Sequence, residues 1–299
     1  TKPGVPVVGL DSGTLFVQRQ GKQLNELLFT DVELSYTTAN VSLLSGHLLK
    51  SPTDMAIRRA TSTEEADRLF IVNGTDGSIT VYSLLRAQQV VAPSRVTTDG
   101  LFQAVAIDVN TAYTVVQRTI NSATVFFVEL FDADTHTDSA VAVSSTGATG
   151  TAAQLPATTL DVIVDGNVQS QKITNGSGVV TFDRAPASGY EIGLPFSMEI
   201  KTLPLEPRLA SGSIKGFKKR VLKVNAEVFQ SQAMTVNGQL VAFRKFGEDV
   251  LDTSVEPFTG VKTVGPLLGF VDEGTITVTQ SVPLALTVLA LDYQLSVGQ

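Results

Sequence analysis

One stretch of the chain restricts its fold more than any other: Leu69-Phe70-Ile71-Val72, then Asn73-Gly74-Thr75-Asp76-Gly77, then Ser78-Ile79-Thr80-Val81-Tyr82-Ser83-Leu84. Two runs of β-branched and aromatic residues flank a loop whose Asn, Asp and Gly accept the positive φ of a tight turn, so a hairpin is expected. The pattern recurs in Leu15-Phe16-Val17-Gln18-Arg19 with Leu24 to Phe29, and in Tyr113-Thr114-Val115-Val116-Gln117-Arg118 with Thr124 to Phe131. The three start 54 and 44 residues apart, close to the roughly 40–50 residues of a four-stranded propeller blade. Residues 1–131 are therefore expected to be consecutive blades, with Met55 to Ala60 and Leu101 to Ile107 as inner strands. Natural propellers close with ~4–8 blades, so three imply further blades upstream. Thr1, in place of an initiator Met, and the prolines Pro3 and Pro6 fit a chain that begins within a longer product.

Helical periodicity is scarce. Val41, Leu44 and Leu48 share one face of a short helix predicted over Asn40 to Leu49, with Asn40 as N-cap. Composition changes at Asp132, where an acidic run leads into Val143-Ser144-Ser145-Thr146-Gly147-Ala148-Thr149-Gly150, and 132–152 is expected to be a polar linker. Beyond it, strand signals return at Leu160 to Gly166, Gly178 to Phe182, Tyr190 to Leu194, Leu222 to Phe229, Thr275 to Val278 and Leu284 to Leu291. The expected fold is all-β: propeller-type blades followed, over 153–299, by a β-sandwich or barrel-like domain.

Several function classes lose ground on composition. The chain carries no cysteine, which removes disulfides, thiolate metal sites and Cys nucleophiles. Lys and Arg total 22 against 29 Asp and Glu, a net charge of -7, the wrong sign for tight binding to a phosphate backbone. The longest apolar stretch, Pro283 to Leu291, is far short of the ~20 residues of a membrane-spanning helix.

Candidate chemistry is sparse. Gly9-Leu10-Asp11-Ser12-Gly13-Thr14 has the residue types of a phosphate loop, but no second phosphate or adenosine motif follows it, and it reads as a turn between strands. Asp132, Asp134, His136 and Asp138 alternate as hard-metal ligands would, yet Thr137 and Val143 stand where an EF-hand needs Gly and Glu. The only histidines are His47 and His136, and no Gly-x-Ser-x-Gly elbow accompanies them. The carboxylate pairs Glu64-Glu65 and Glu248-Asp249 lie in turn-like sequence in a chain without Trp, so exposed loop charge is the expected reading. No catalytic residue, cofactor or metal ligand is assigned. The one concentrated charge is Lys215-Gly216-Phe217-Lys218-Lys219-Arg220, with Lys223 after it. It reads either as a solvated loop or as a subunit contact through Lys215, Lys218, Lys219 and Arg220 onto acidic surface of a neighbour.

Taken in order, Ser42 to Leu49, Met55 to Thr63, Arg68 to Asn73, Thr97 to Gly100, Val116 to Arg118, Phe127 to Glu129, Gly193 to Phe196, Lys201 to Glu206 and Lys218 to Val221 resemble the tail nozzle, or tail tubular protein B, family of short-tailed bacteriophages, which includes the packaged-DNA stabilisation proteins. The resemblance rests on the ordered set over residues 14–291. It implies a virion protein without enzymatic activity, arranged as a hexameric ring at the distal end of a tail. Its expected partners are further copies of itself, an adaptor ring, tail fibres or spikes, the host surface, and genomic DNA in transit without specific binding. A conduit wall that is acidic repels its passenger and keeps it mobile, and a net charge of -7 suits that role. The competing expectations are a receptor- or glycan-binding tail adhesin, a glycan hydrolase, and a hub or tube component of another tail type.

Overall fold

The computed structural model describes residues 1–10, 13–31, 34–62, 65–207, 212–244, 253–266 and 269–298. Strands hold 53% of residues, and among the described residues the only helical turns are the 3-10 segments Gly46–Leu48 and Arg86–Gln88. The chain divides into two compact units, Thr1–Asp134 and Thr135–Gln299.

The first unit is three antiparallel meanders in series. β1 (Val8–Leu10), β2 (Gly13–Val17), β3 (Leu24–Thr30) and β4 (Ser35–Asn40) form one sheet in chain order. The second sheet follows the same order with β5 (Pro52–Arg58), β6 (Asp67–Asn73), β7 (Ile79–Leu85) and β8 (Val90–Val96). A third has only β9 (Leu101–Asp108), β10 (Thr111–Ile120) and β11 (Ala123–Leu130). First strands adjoin from sheet to sheet, β1 with β5 and β5 with β9.

Alternation along the middle sheet explains the stacking. Leu69, Ile71, Tyr82 and Leu84 join Leu10, Leu15, Val17 and Leu24 of the first sheet in one buried cluster. Their neighbours Phe70, Val72, Ile79 and Val81 join Phe102, Val105, Ala112 and Val116 of the third in another. Each such Val, Leu, Ile or Phe side chain contributes roughly 1.5–3 kcal/mol by leaving water, so the shared cores hold the stack together. Polar ties reinforce the first strands. Asp54, at a bulge in β5, accepts hydrogen bonds from the amides of Met55 and Val105, both at 2.9 Å, and Arg59 donates to the Gly9 carbonyl at 2.7 Å. Gly13 is needed at its place: a Cβ there would stand 2.8 Å from Arg86 Nη2 and from a Leu28 methyl.

The helix expected over Asn40 to Leu49 does not form. Asn40 closes β4 and its carboxamide accepts from the Ser42 amide and hydroxyl, a local turn that bends the chain out of helical register. Ser42 Oγ in turn accepts from the Leu24 amide of β3, leaving Leu44 exposed instead of on a buried stripe.

In the second unit the strands are β12 (Asp138–Val143), β13 (Thr149–Thr151), β14 (Thr159–Val164), β15 (Asn167–Val168), β16 (Lys172–Ile173), β17 (Val179–Thr181) and β18 (Tyr190–Leu194), followed by β19 (Met198–Lys201), β20 (Lys219–Ser231), β21 (Thr235–Val236), β22 (Gln239–Leu240), β23 (Phe258–Val264), β24 (Thr277–Gln280) and β25 (Val288–Val297). The first seven make a sheet ordered β12-β18-β14-β15, with β16 also on β14, and a β13-β17 ribbon. The rest make two sheets, β19-β24-β21-β22 and β23-β20-β25. Val224, Ala226 and Val228 of β20 meet Val236, Ile276 and Val278 in a single core between these two.

The segment expected to be a linker carries β12 and β13. Gly150 lies where a Cβ would reach within 2.6 Å of the Phe182 ring and 2.9 Å of Tyr190, and these rings pack at 4.8 Å. Small residues there serve close packing, and composition alone reads them as flexible.

Candidate subunit interface

Ile214 is buried and anchors the basic loop; the Phe217 amide donates to its carbonyl at 3.2 Å, and Gly216 turns the chain at φ 90°. The loop runs into β20, whose first residue exchanges two backbone hydrogen bonds with Val271, at 2.7 and 2.8 Å. The Gly298 amide donates to the Lys218 carbonyl at 2.8 Å, so the charged residues sit on a backbone fixed from two sides.

The four residues assigned to the contact do not share one environment. Lys215 and Lys218 are exposed, and Lys223 on β20 is exposed as well. Arg220 is half-buried and already engaged within the chain. Lys219 points inward: its side chain is 2% accessible, with Nζ 3.7 Å from Glu206 Oε1. Alternation along β20 is the cause, since Lys219 and Val221 fall on the buried side of the strand. Lys219 therefore cannot present its charge to a neighbour. The loop's exposed lysines are accompanied by exposed Phe217, Phe270 and Val271; aromatic groups are enriched at protein contacts, whereas lysine is depleted there.

Beside it lies an open cavity of about 580 Å³ lined by Val221, Asn237, Val271, Asp272, Glu273 and Thr275, among others. Its carboxylates stand without a histidine, and among the described residues no three His, Asp or Glu side chains converge as a metal site would require.

The other sequence candidates are spread over the chain. In the Gly9 to Thr14 segment, Asp11 and Ser12 lie outside the described residues, while Leu10 and Gly13 pair as the ends of β1 and β2. Asp132 accepts from the Asp134 amide at 3.0 Å. The His136 amide and the Thr137 hydroxyl donate to Glu191 at 2.7 and 2.8 Å. His47 is exposed in its 3-10 turn. Glu65 pairs with Arg58 and accepts from the Thr61 amide and hydroxyl; these Thr61 hydrogen bonds, the amide's first, hold its carboxyl below the usual range. Glu64 and the pair Glu248-Asp249 lie outside the described residues.

Three polar centres were not singled out by sequence. Asn73, fully buried, donates to the Leu48 carbonyl, Ser78 Oγ and Thr80 Oγ1, and accepts from the Lys50 amide. Asp165, in the β14–β15 turn, accepts from the amides of Ala187, Ser188 and Gly189 and from the Ser188 hydroxyl. These bonds, led by the Ala187 amide, hold its carboxyl well below the usual range. Arg118, with 1% of its side chain accessible, forms a two-pronged pair with Glu129 at 2.9 and 2.8 Å and donates to the Asp99 carbonyl at 2.6 Å. Each of the three joins separate stretches of chain, the geometry of a structural tie.

No protein-family model matches the chain, and no curated protein matches it in sequence.

Proposed function

We propose that the chain is a structural, non-catalytic virion protein, one copy of a tail nozzle ring that encloses the path of DNA leaving a short-tailed bacteriophage. The observation that carries the assembly part of this reading is the open stack of the first unit. Three meanders follow one another with their first strands adjoining and their apolar faces in contact, as blades do around a propeller axis. The stack leaves Phe29 and Tyr36 exposed on the outer face of the first sheet, and Phe126, Val128 and Leu130 on that of the third. Faces of this kind are found where further protein packs. In the second unit, the two sheets around the Val224 and Val278 core are read as a β-sandwich. The tail assignment itself comes from the ordered sequence resemblance.

Electron microscopy of tails labelled with an antibody to this chain tests the reading. A ring of label at the distal end of the tail is the expected result, and label along lateral fibres would replace it with the adhesin reading. Mass measurement on the purified chain is the simpler arm: a closed oligomer is expected, and a strictly monomeric protein within intact tails would sink the proposal.

A further inference from the structure

The third sheet of the first unit has three strands where its two sisters have four. In those sisters β4 and β8 cover the strand before them; nothing among the described residues covers β11.

The direction of the uncovered backbone groups follows from the hairpin. Asn121 and Ser122, with φ of 49° and 64°, make a two-residue turn between Ile120 and Ala123, so those two flanking residues form a hydrogen-bonded pair. Counting in twos, Arg118 with Val125, Val116 with Phe127 and Thr114 with Glu129 are bonded pairs too. The Phe131 amide, donating to the Ala112 carbonyl at 2.9 Å, continues the same phase. Thr124, Phe126, Val128 and Leu130 therefore aim their N–H and C=O groups at the open side. A row of aligned amides and carbonyls accepts only another extended strand in full, which fixes the kind of occupant.

Most other edges among the described residues are protected, the polar β4, Ser-Tyr-Thr-Thr-Ala-Asn, being the exception. Pro93 and Arg95 interrupt β8, Gly260 and Lys262 lie in β23, β1 is three residues long, and the β20–β25 ladder is broken by two register shifts. The β10–β11 ladder has no shift, and Ala-Thr-Val-Phe-Phe-Val-Glu-Leu has no Pro, Gly, Lys or Arg. Its one charge, Glu129, is held on the covered face by Arg118.

We infer that the open edge of β11 pairs with β11 of a second copy, antiparallel across a twofold axis at Phe127. Charge selects this occupant. In that register Glu129 stands opposite Val125 of the second copy, so no like charges meet, and a strand carrying Lys or Arg would find no free carboxylate on β11 to answer it. Hydrogen bonding selects the register: Phe126 opposite Val128 and Thr124 opposite Leu130 use all four donors and acceptors of each copy, about eight bonds in all. Phe126, Val128 and Leu130, exposed at 62%, 74% and 54%, become cross-strand neighbours in the six-stranded sheet that results. The contact uses one surface twice, whereas a head-to-tail ring uses two different surfaces, so it goes beyond the nozzle reading.

Sedimentation equilibrium on the full chain, with cysteine cross-linking, tests the pairing. The wild type is expected to contain a reversible two-copy step. Val128→Pro removes only an outward N–H, so it keeps the circular dichroism of the wild type and weakens that step at least about tenfold. Phe127→Cys, in a chain without cysteine, gives a disulfide-linked pair on mild oxidation, because non-bonded partners at the axis lie about 4.5 Å apart; Val125→Cys does not. Should Val128→Pro fail to fold, the two cysteine variants decide alone. Undiminished association of folded Val128→Pro overturns the inference, as does failure of Phe127→Cys to link. A ring that assembles with neither effect leaves the nozzle reading standing and removes this contact; a monomer whose amides at 124, 126, 128 and 130 resist hydrogen exchange overturns it by showing another strand in place.

Discussion

The middle and third sheets of the first unit are built from similar strands, yet they spend their apolar residues differently. In the middle sheet Leu69 and Ile71 face one neighbour while Phe70 and Val72 face the other, and all four are buried. In the third, Val116 and Phe102 face the middle sheet while Phe126, Val128 and Leu130 face outward and remain exposed. Apolar content makes a strand in both cases; whether both faces are covered depends on how many sheets stand in the stack. The same mutation should therefore cost very different amounts in the two sheets. Ile71→Ala is expected to lower unfolding stability by about 2–5 kcal/mol, the range for a large-to-small change in a packed core. Val128→Ala should stay within about 0.5 kcal/mol at concentrations where the chain is monomeric. Urea unfolding of both would break the comparison if the two losses were equal.

The second difference is polar. At its loop end the middle sheet buries the neutral Asn73 and leaves the charges of Asp76, Lys50 and Arg95 partly accessible outside it, whereas the third sheet buries a charge, Arg118, against Glu129. Removing one member of a buried pair strands the other, a cost of about 3–5 kcal/mol in full burial. Glu129 keeps 18% of its side chain accessible, so Arg118→Met should cost less, roughly 2–3 kcal/mol. The double variant Arg118→Met, Glu129→Leu is expected to recover most of that loss. A double variant no better than the single would mean that the Asp99 carbonyl contact, and not the carboxylate, is what Arg118 supplies. Asn73→Ala comes next in size, about 1–3 kcal/mol, because the Lys50 amide and the Leu48 carbonyl lose a partner.

The hairpins were legible because their signal is local. Apolar and β-branched runs, flanking an Asn-Gly and Asp-Gly loop in the first case, describe the strands at 69–84 and 113–131 without reference to anything distant. What was not legible depends on partners far along the chain. Ser42 is drawn from a helix into a turn by the amide of Leu24; Gly150 reads as linker until the rings of Phe182 and Tyr190 are set over it. Lys219 illustrates the limit at the candidate interface. Its position in a basic run suggested surface, but one step of strand alternation separates it from exposed Lys218 and places it in the interior. A one-residue phase along a strand decides the face, and a run of like residues carries no phase.

Acid should act on the loop ends before it acts on the cores. Burial opposes ionisation of Asp76, but hydrogen bonds from Lys50 and Ser78 outweigh it and hold the carboxyl down at about 2. Asp165, held by the Ala187 amide and its neighbours, is also depressed. A carboxyl lower in the folded than in the unfolded chain stabilises the fold above the usual aspartate range, and that contribution is lost as pH falls through the folded value. The urea midpoint is therefore expected to be flat from neutral pH to about 5 and to fall between about 4 and 2. Asp76→Asn should flatten part of that fall by lowering the midpoint at neutral pH. A midpoint that rises on acidification would contradict the assignment of these carboxylates as stabilising ties.

The smallest expected effect on stability belongs to the basic loop, and it separates the loop's two meanings. Lys215 and Lys218 are exposed, and among the described residues neither side chain is seen in an ion pair or hydrogen bond. Lys215→Glu with Lys218→Glu should therefore leave the unfolding free energy within about 0.5 kcal/mol of wild type. A solvated loop predicts nothing more. A contact with acidic surface on a neighbouring copy predicts a loss of oligomer mass, steeper at low ionic strength, where charge pairs are least screened. Equal mass for variant and wild type at both low and high salt would turn attention to exposed Phe217, Phe270 and Val271 on that face, and make mutation of Phe217 the next way to separate a surface loop from an interface.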